Sequence, residues 1–291
     1  MKLVVVGAGY VGGALAALAR QANHEVWAVR RSGGSPPAPE VRVLTADVAS
    51  GAGLEGLPQT PDVVAYAVSP GGRSESAYRD AYPVGVARVL ERAPHARFLL
   101  VSSTSVYGEQ DGGRVDDDTP ALPRDPLGAA ILEAERLVLE RAPSAAVVRA
   151  SGIYGPGRTG LLARVQDGSA LTPEEVVFTN RIHRDDLARV LLFLAQRPEL
   201  SGTFVASDTQ PVPLGQLHAW LAERLGVSAP PQAPAGAPRS RHRGSKRCVP
   251  TRLLQAGFQF LYPTFREGYD AVLAERTATL RVEPMPARTN R

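Results

Sequence analysis

Along the first two thirds of this chain, short apolar runs alternate with longer stretches of helical periodicity. Leu3-Val4-Val5-Val6, Val63-Val64-Ala65-Tyr66-Ala67-Val68 and Phe98-Leu99-Leu100-Val101 lack the in–out alternation of a strand with one wet face. Such strands are buried on both sides, which requires a parallel sheet covered by helices on each face. The pattern predicts strands over 2–6, 25–30, 41–44, 63–68, 97–102, 145–149 and 203–206, and helices over 12–22, 77–92, 127–141, 185–196 and 214–225. Strands alternating with helices give a doubly wound α/β fold.

The first turn of this pattern is the most informative. Gly7-Ala8-Gly9-Tyr10-Val11-Gly12 follows a strand directly and opens a helix, the context in which G-x-G-x-x-G binds a dinucleotide. Gly7 permits the tight turn, Gly9 lets a pyrophosphate approach the backbone, and Gly12 lets the helix pack close to the strand. Tyr10 and Val11, between the second and third glycines, are candidate cofactor contacts where the helix N-terminus offers free N–H groups to the phosphates. The uncharged stretch Leu3 to Ala19 imitates an export signal, but glycines 7, 9, 12 and 13 interrupt it and the fingerprint explains them. The second strand ends in Arg30-Arg31, where NAD binders carry an acid for the ribose 2′-hydroxyl. An arginine there suits the 2′-phosphate of NADP, and a solvated basic turn is the alternative. Asp47 and Val48 follow the third strand on the adenine side, with Ala67 at the end of the fourth.

Charge excludes other classes. With 33 Lys+Arg against 29 Asp+Glu, the net charge is +4, and Arg239, Arg241, Arg243, Lys246 and Arg247 alone exceed it. The surplus is one local run and not a nucleic-acid-binding face. That run is either an anion clamp or a solvated loop. A single cysteine, Cys248, excludes an intrachain disulfide and a multi-cysteine zinc site, and the five histidines show no metal spacing. No stretch reaches the ~20 apolar residues of a membrane span. A soluble cytoplasmic protein without metal, membrane or nucleic-acid partners is expected.

Val101-Ser102-Ser103-Thr104-Ser105-Val106-Tyr107-Gly108 resembles the corresponding segment of the extended short-chain dehydrogenase/reductases, the nucleotide-sugar epimerases and dehydratases. The fingerprint, Asp118-Thr119-Pro120, Arg149 with Ile153-Tyr154-Gly155-Pro156-Gly157, and Asn180 to Ala188 fit in order and spacing over most of 1–207. The C-terminal region looks like an atypical branch. The resemblance implies a Rossmann domain over 1–155 and 176–207. A smaller substrate-binding region would occupy 156–175 and 208–291, with a Pro/Arg-rich loop at 229–247.

The resemblance also implies a catalytic Ser/Thr, which maps to Ser103, and a Tyr-x-x-x-Lys pair opening the next helix. Aligning Pro126-x-Gly128 and Glu135 places Leu127 and Ile131 at those two positions, and no Tyr-x-x-x-Lys occurs anywhere in the chain. Neither side chain can carry a proton or a charge. Ser103 and Tyr107 remain as candidate catalytic groups, Tyr107 having a packing role as its alternative. Ser105, Tyr154, Arg181 and His183 are candidate substrate contacts, with turn formation and helix capping as the bland alternatives for the last three. The resulting expectation is an NAD(P)-binding, oxidoreductase- or epimerase-like protein, with NADP preferred and NAD possible. Its substrate would be a small molecule such as a nucleotide-sugar or another phosphate. The alternative is a catalytically inactive NADP(H) sensor.

Overall fold

The computed structural model describes residues 1–234 and 244–282. Arg239, Arg241 and Arg243 of the basic run fall outside the described residues. The elements run in chain order as β1 (Lys2–Val6), α1 (Tyr10–Gln21), β2 (Glu25–Arg30), β3 (Arg42–Thr45), β4 (Val63–Tyr66), α2 (Glu75–Arg79), α3 (Gly85–Arg92), β5 (Arg97–Ser103), β6 (Gly113–Val115), α4 (Pro126–Arg141), β7 (Ala145–Ala150), β8 (Gly152–Tyr154), α5 (Gly160–Gln166), β9 (Phe178–Thr179), β10 (Arg181–His183), α6 (Arg184–Ala195), β11 (Gly202–Ala206), β12 (Val212–Pro213), α7 (Leu214–Leu225), β13 (Lys246–Cys248), α8 (Thr251–Gln255) and α9 (Phe265–Val282).

Seven strands form one sheet in the order β11-β7-β5-β4-β1-β2-β3, with every pair parallel. Successive residues of β1 divide between two cores. Leu3 and Val5 pack with Leu15, Ala19, Leu187 and Leu191 of α1 and α6. Val4 and Val6 pack on the opposite face with Val86, Val89, Ala134 and Val138 of α3 and α4. Chain order reverses on either side of β1, so a crevice opens beyond the carboxyl ends of β1 and β4.

A third core joins α5, α7 and α9 through Leu162, Val165, Leu217, Leu221, Phe265, Tyr269 and Val272. Smaller pairs, β8 with β10, β9 with β12 and β6 with β13, connect this part to the large sheet.

Three local differences from the sequence expectation have physical reasons. The helix expected over 77–92 is split by a π turn at Asp80–Val84 containing Pro83, whose missing N–H cannot continue the α-helical ladder. The expected 229–247 loop ends in a strand: Lys246, Arg247 and Cys248 pair with Gly113, Arg114 and Val115. Beyond Leu253 the sequence mixes aromatics with what reads as short helical pieces, and the chain there forms the single 18-residue α9 over Phe265–Val282. No helix among the described residues is long and apolar enough to cross a membrane.

Candidate active site

The crevice is a cavity of about 940 Å³ lined by the loops that follow β1, β2, β3, β4, β5 and β7. At its floor is the glycine turn. Gly7 has φ +86°, and a Cβ there would lie 2.6 Å from the Val68 backbone nitrogen. A Cβ on Gly12 would lie 2.4 Å from the Gly7 carbonyl oxygen, so only glycine lets α1 start this close to β1. A Cβ on Gly9 would meet no atom within 4 Å and would stand in the open cradle. Gly9 provides no side-chain cap, and the first turn of α1 contains no acid. The uncapped N–H groups and positive dipole end are thereby left for an anion.

Gly7, Gly9, Tyr10, Val11, Arg30, Arg31, Asp47, Val48 and Ala67 line this cavity, and Gly12 packs behind it. Arg30 is tied down, its Nε donating to Ala8 O at 2.8 Å and its Nη1 to Ser35 O at 2.9 Å. Arg31 is exposed at the rim. Asp47 accepts from Ala49 N at 2.9 Å, which fixes the turn after β3. The residues fit a dinucleotide: an anion cradle lies at the helix end, with two guanidiniums beside the end of β2.

At the far end, Ser103 and Ile131 form the wall. Ser103 Oγ accepts from Ser105 N at 3.1 Å, which leaves its own hydrogen free to donate. Ser102 lies beside it and gives its hydroxyl to Glu135, which Arg149 grips with Nη2 at 2.7 Å and Nε at 3.1 Å. All three are buried. Their network joins the end of β5, α4 and β7 under the cavity.

A second cavity of about 560 Å³ shares Ser103, Ala150, Ser151 and Gly152 with the first. Ser105, Arg164, Asn180, Arg181 and His218 line it, and none of its described lining residues is a carboxylate.

The sequence profile of the NAD dependent epimerase/dehydratase family matches residues 3–205. The chain belongs to that family. Among solved structures, it is 34% identical to one from Methylobacillus flagellatus assigned to the NAD-dependent epimerase/dehydratases, with 95% of this chain and 98% of that chain covered at TM-score 0.80. A human epimerase family protein in complex with NADPH shares 20% identity over 94% of this chain and 99% of that one, at TM-score 0.77. The UDP-glucose 4-epimerase of Thermotoga maritima, in complex with UDP-glucose, shares 18% over 96% and 100%, at TM-score 0.79. These last two show likeness of fold alone. No curated protein matches the chain.

Within this epimerase/dehydratase frame, three residues singled out from the sequence sit away from the cavities. Tyr107, a candidate acid or base, is 3% exposed and lines neither cavity. Its hydroxyl donates to Asp116 O at 2.7 Å and its ring lies 4.9 Å under the Arg149 guanidinium. Burial drives its phenol well above the ordinary value, and Arg149 offsets this only in part. Tyr107 is therefore a packing group here.

Tyr154 and His183 are likewise in the interior. Tyr154 stacks on Tyr269 at 4.4 Å between ring centroids. His183 caps α6, its Nδ1 accepting from Asp185 N at 3.2 Å. Desolvation holds the imidazole below its usual pKa, against the pull of Asp185 and Asp186. Of the candidate substrate contacts, Ser105 and Arg181 face the second cavity.

Sequence reasoning missed Arg158, Ser151, Arg164 and Asn180. Arg158 directly follows the Tyr154-Gly155-Pro156-Gly157 segment, and Asn180 opens the Asn180-Arg181 segment, so their neighbourhoods were visible. Ser151 and Arg164 carry no pattern of their own. Lys246 was missed as a structural group: it is 3% exposed, and its Nζ donates to Thr104 O at 2.9 Å and Tyr107 O at 2.8 Å. It braces the turn that presents Ser103 and Ser105.

Proposed function

We propose that this chain is an NADP(H)-binding, oxidoreductase- or epimerase-type enzyme acting on a small anionic substrate of the nucleotide-sugar or phosphate class. The observation that carries this reading is that the two cavities adjoin at Ser103, Ala150, Ser151 and Gly152, which line both. On one side of Ser103 is the glycine cradle, and on the other a chamber with Arg164 and Arg181 and no carboxylate among its described lining residues. When bound, the nicotinamide supplies a hydride acceptor or donor. The residues of the chain orient and exclude water. Ser103 donates to a substrate oxygen, while Arg164, Arg181 and Asn180 hold its anionic part, a task suited to guanidinium forks. Arg30 and Arg31 favour the 2′-phosphate form of the cofactor.

Ile131 is the observation that favours a second reading. It is 2% exposed, lines the cofactor cavity and occupies the position the family resemblance gives to lysine. Leu127, one turn earlier, packs against the core. Without a phenol and an ammonium there, general acid–base help worth roughly 10²–10⁴-fold in rate is missing. A protein so built can bind NADP(H) and report it without turnover.

Calorimetric titration of NADP(H) and NAD(H) tests the binding. NADP(H) should bind more tightly, and Arg31→Ala should weaken it about tenfold with little change for NAD(H), since a charged contact is worth about 1.5–3 kcal/mol. Equal affinities for the two cofactors refute the preference. Absorbance at the reduced nicotinamide band, which reports net oxidation or reduction, together with chromatography of the sugar product, which reports epimerisation, separates the readings when UDP-sugars are the substrates. Turnover by the wild-type protein supports the enzyme, whereas activity only in the Leu127→Tyr/Ile131→Lys variant supports the sensor.

A further inference from the structure

We propose that Arg158, seated on the ring of Tyr10, forms a cationic clasp over the pyrophosphate of the bound dinucleotide. This deepens the functional reading above and rests on it. Tyr10 is the first residue of α1 and follows Gly9, whose absent side chain opens the phosphate cradle. Arg158 comes from the opposite side of the crevice, in the turn between β8 and α5. Its guanidinium carbon lies 4.2 Å from the centroid of the Tyr10 ring, and both residues line the cofactor cavity.

The arrangement is built by one turn. Gly155 has φ +142°, a conformation suited to glycine, and its carbonyl accepts from Arg158 N at 3.0 Å. A Cβ on Gly155 would lie 3.0 Å from Tyr10 Oη and 3.2 Å from His183 Nε2. The turn that receives the tip of Tyr10 therefore also launches Arg158 back across the ring face. The Tyr10 hydroxyl packs against this turn with no hydrogen-bond partner among the described residues, and its ring presents a flat platform. A guanidinium stacks on such a surface without losing its in-plane N–H donors.

Those donors are uncommitted. Among the described residues, the Arg158 guanidinium has no hydrogen bond and no ion pair, and the side chain is exposed. Arg184, the other cation over Tyr10 at 5.3 Å, is already spent on Asp185 Oδ1 at 2.7 Å. Among the described residues, the cations lining the cavity are Arg30, Arg31 and Arg158. The first two stand at the end of β2, where a 2′-phosphate belongs, and Arg30 already spends two nitrogens on backbone carbonyls. The pyrophosphate would otherwise meet only the partial charge of a helix end. Arg158 supplies the full charge, with fork geometry suited to two phosphate oxygens.

Calorimetry on the full-length protein tests this with three probes: NADPH, 2′-phospho-ADP-ribose and adenosine 2′-monophosphate. Arg158→Gln should weaken the first two, which contain the pyrophosphate, by roughly tenfold or more. It should leave the third unchanged, which also reports that the fold and the Arg30–Arg31 site are intact. Arg158→Lys, which keeps the charge and loses the fork, should fall between. NADPH affinity in Arg158→Gln within twofold of wild type overturns the clasp, as does an equal loss for all three probes in both variants. Wild-type protein that binds neither NADPH nor NADH overturns the functional reading and the clasp together. Wild-type binding with no effect of Arg158→Gln overturns the clasp alone.

Discussion

Gly7 and Gly9 belong to one motif but are glycine for different reasons, and the difference can be measured. Alanine at Gly7 must adopt a positive φ and press its Cβ to 2.6 Å from Val68 N and 2.7 Å from Ala67 O. Gly7→Ala should cost about 2 kcal/mol or more in urea unfolding. A Cβ at Gly9 touches nothing within 4 Å, so Gly9→Ala should leave stability nearly unchanged while weakening dinucleotide binding. Asp208 gives a pH-dependent counterpart. It is 1% exposed with Oδ2 unpartnered among the described residues, and burial raises its carboxyl well above the ordinary range, with Gln210 N and Arg181 offsetting only part. A group whose pKa is raised by folding favours the fold below its unfolded value, about 4. It loses that contribution as pH climbs through the folded value. Thermal melts should therefore show Asp208→Asn gaining on wild type as pH rises across that window, then running parallel. A difference that shrinks with pH would refute the assignment.

At the scale of elements, the Ser102–Glu135–Arg149 network ties α4 to the sheet beneath the cavity. The side chains of Arg149 and Glu135 are 8% and 1% exposed, so neither charge can return to water when its partner is removed. Arg149→Ala should cost about 3–5 kcal/mol by leaving a buried carboxylate unpaired. Removing Glu135 as well should cost less than the sum of the two single changes, because the stranded charge goes with it. Denaturant unfolding of the three variants measures both. The placement of α4 was legible in the sequence: Asp125 accepts from Gly128 N at 2.7 Å and Pro126 occupies the first turn, local signals that need no tertiary partner. The break at Pro83 was legible only in part. Proline announces a disturbance but does not say whether the chain kinks, stops or widens to a π turn.

At the scale of the whole molecule, Lys246 joins regions distant in sequence. Its ammonium reaches the carbonyls of Thr104 and Tyr107, while Asn180 accepts from Cys248 N at 2.8 Å and donates to Lys246 O at 2.9 Å. Lys246→Met keeps the apolar stem but leaves two carbonyls short of a donor, and should cost about 2–4 kcal/mol. Because those carbonyls belong to the turn carrying Ser103 and Ser105, the same variant should lose ligand binding in the second cavity more than in the first. Equal binding in both cavities would mean that Lys246 only stabilises.

The parallel sheet, its flanking helices and the phosphate cradle were determined by the sequence alone, because each rests on local physics. Uninterrupted apolar runs such as Leu3 to Val6 can only be buried on both faces, and glycines at fixed offsets permit one turn. The place of Arg30 and Arg31 at the edge of the crevice was legible for the same reason, being set by the end of their own strand. Only the tertiary structure decided which phenols and imidazoles face a cavity. Tyr107, Tyr154 and His183 lie in motifs that point to chemistry, yet packing turns them inward, where Asp116, Tyr269 and Asp185 take up a hydroxyl, a ring face and a cap. It also decided that Arg158 lies on Tyr10 and that Lys246 reaches the Thr104 carbonyl. Those contacts span 148 and 142 residues of chain, and no local preference encodes where two such side chains meet.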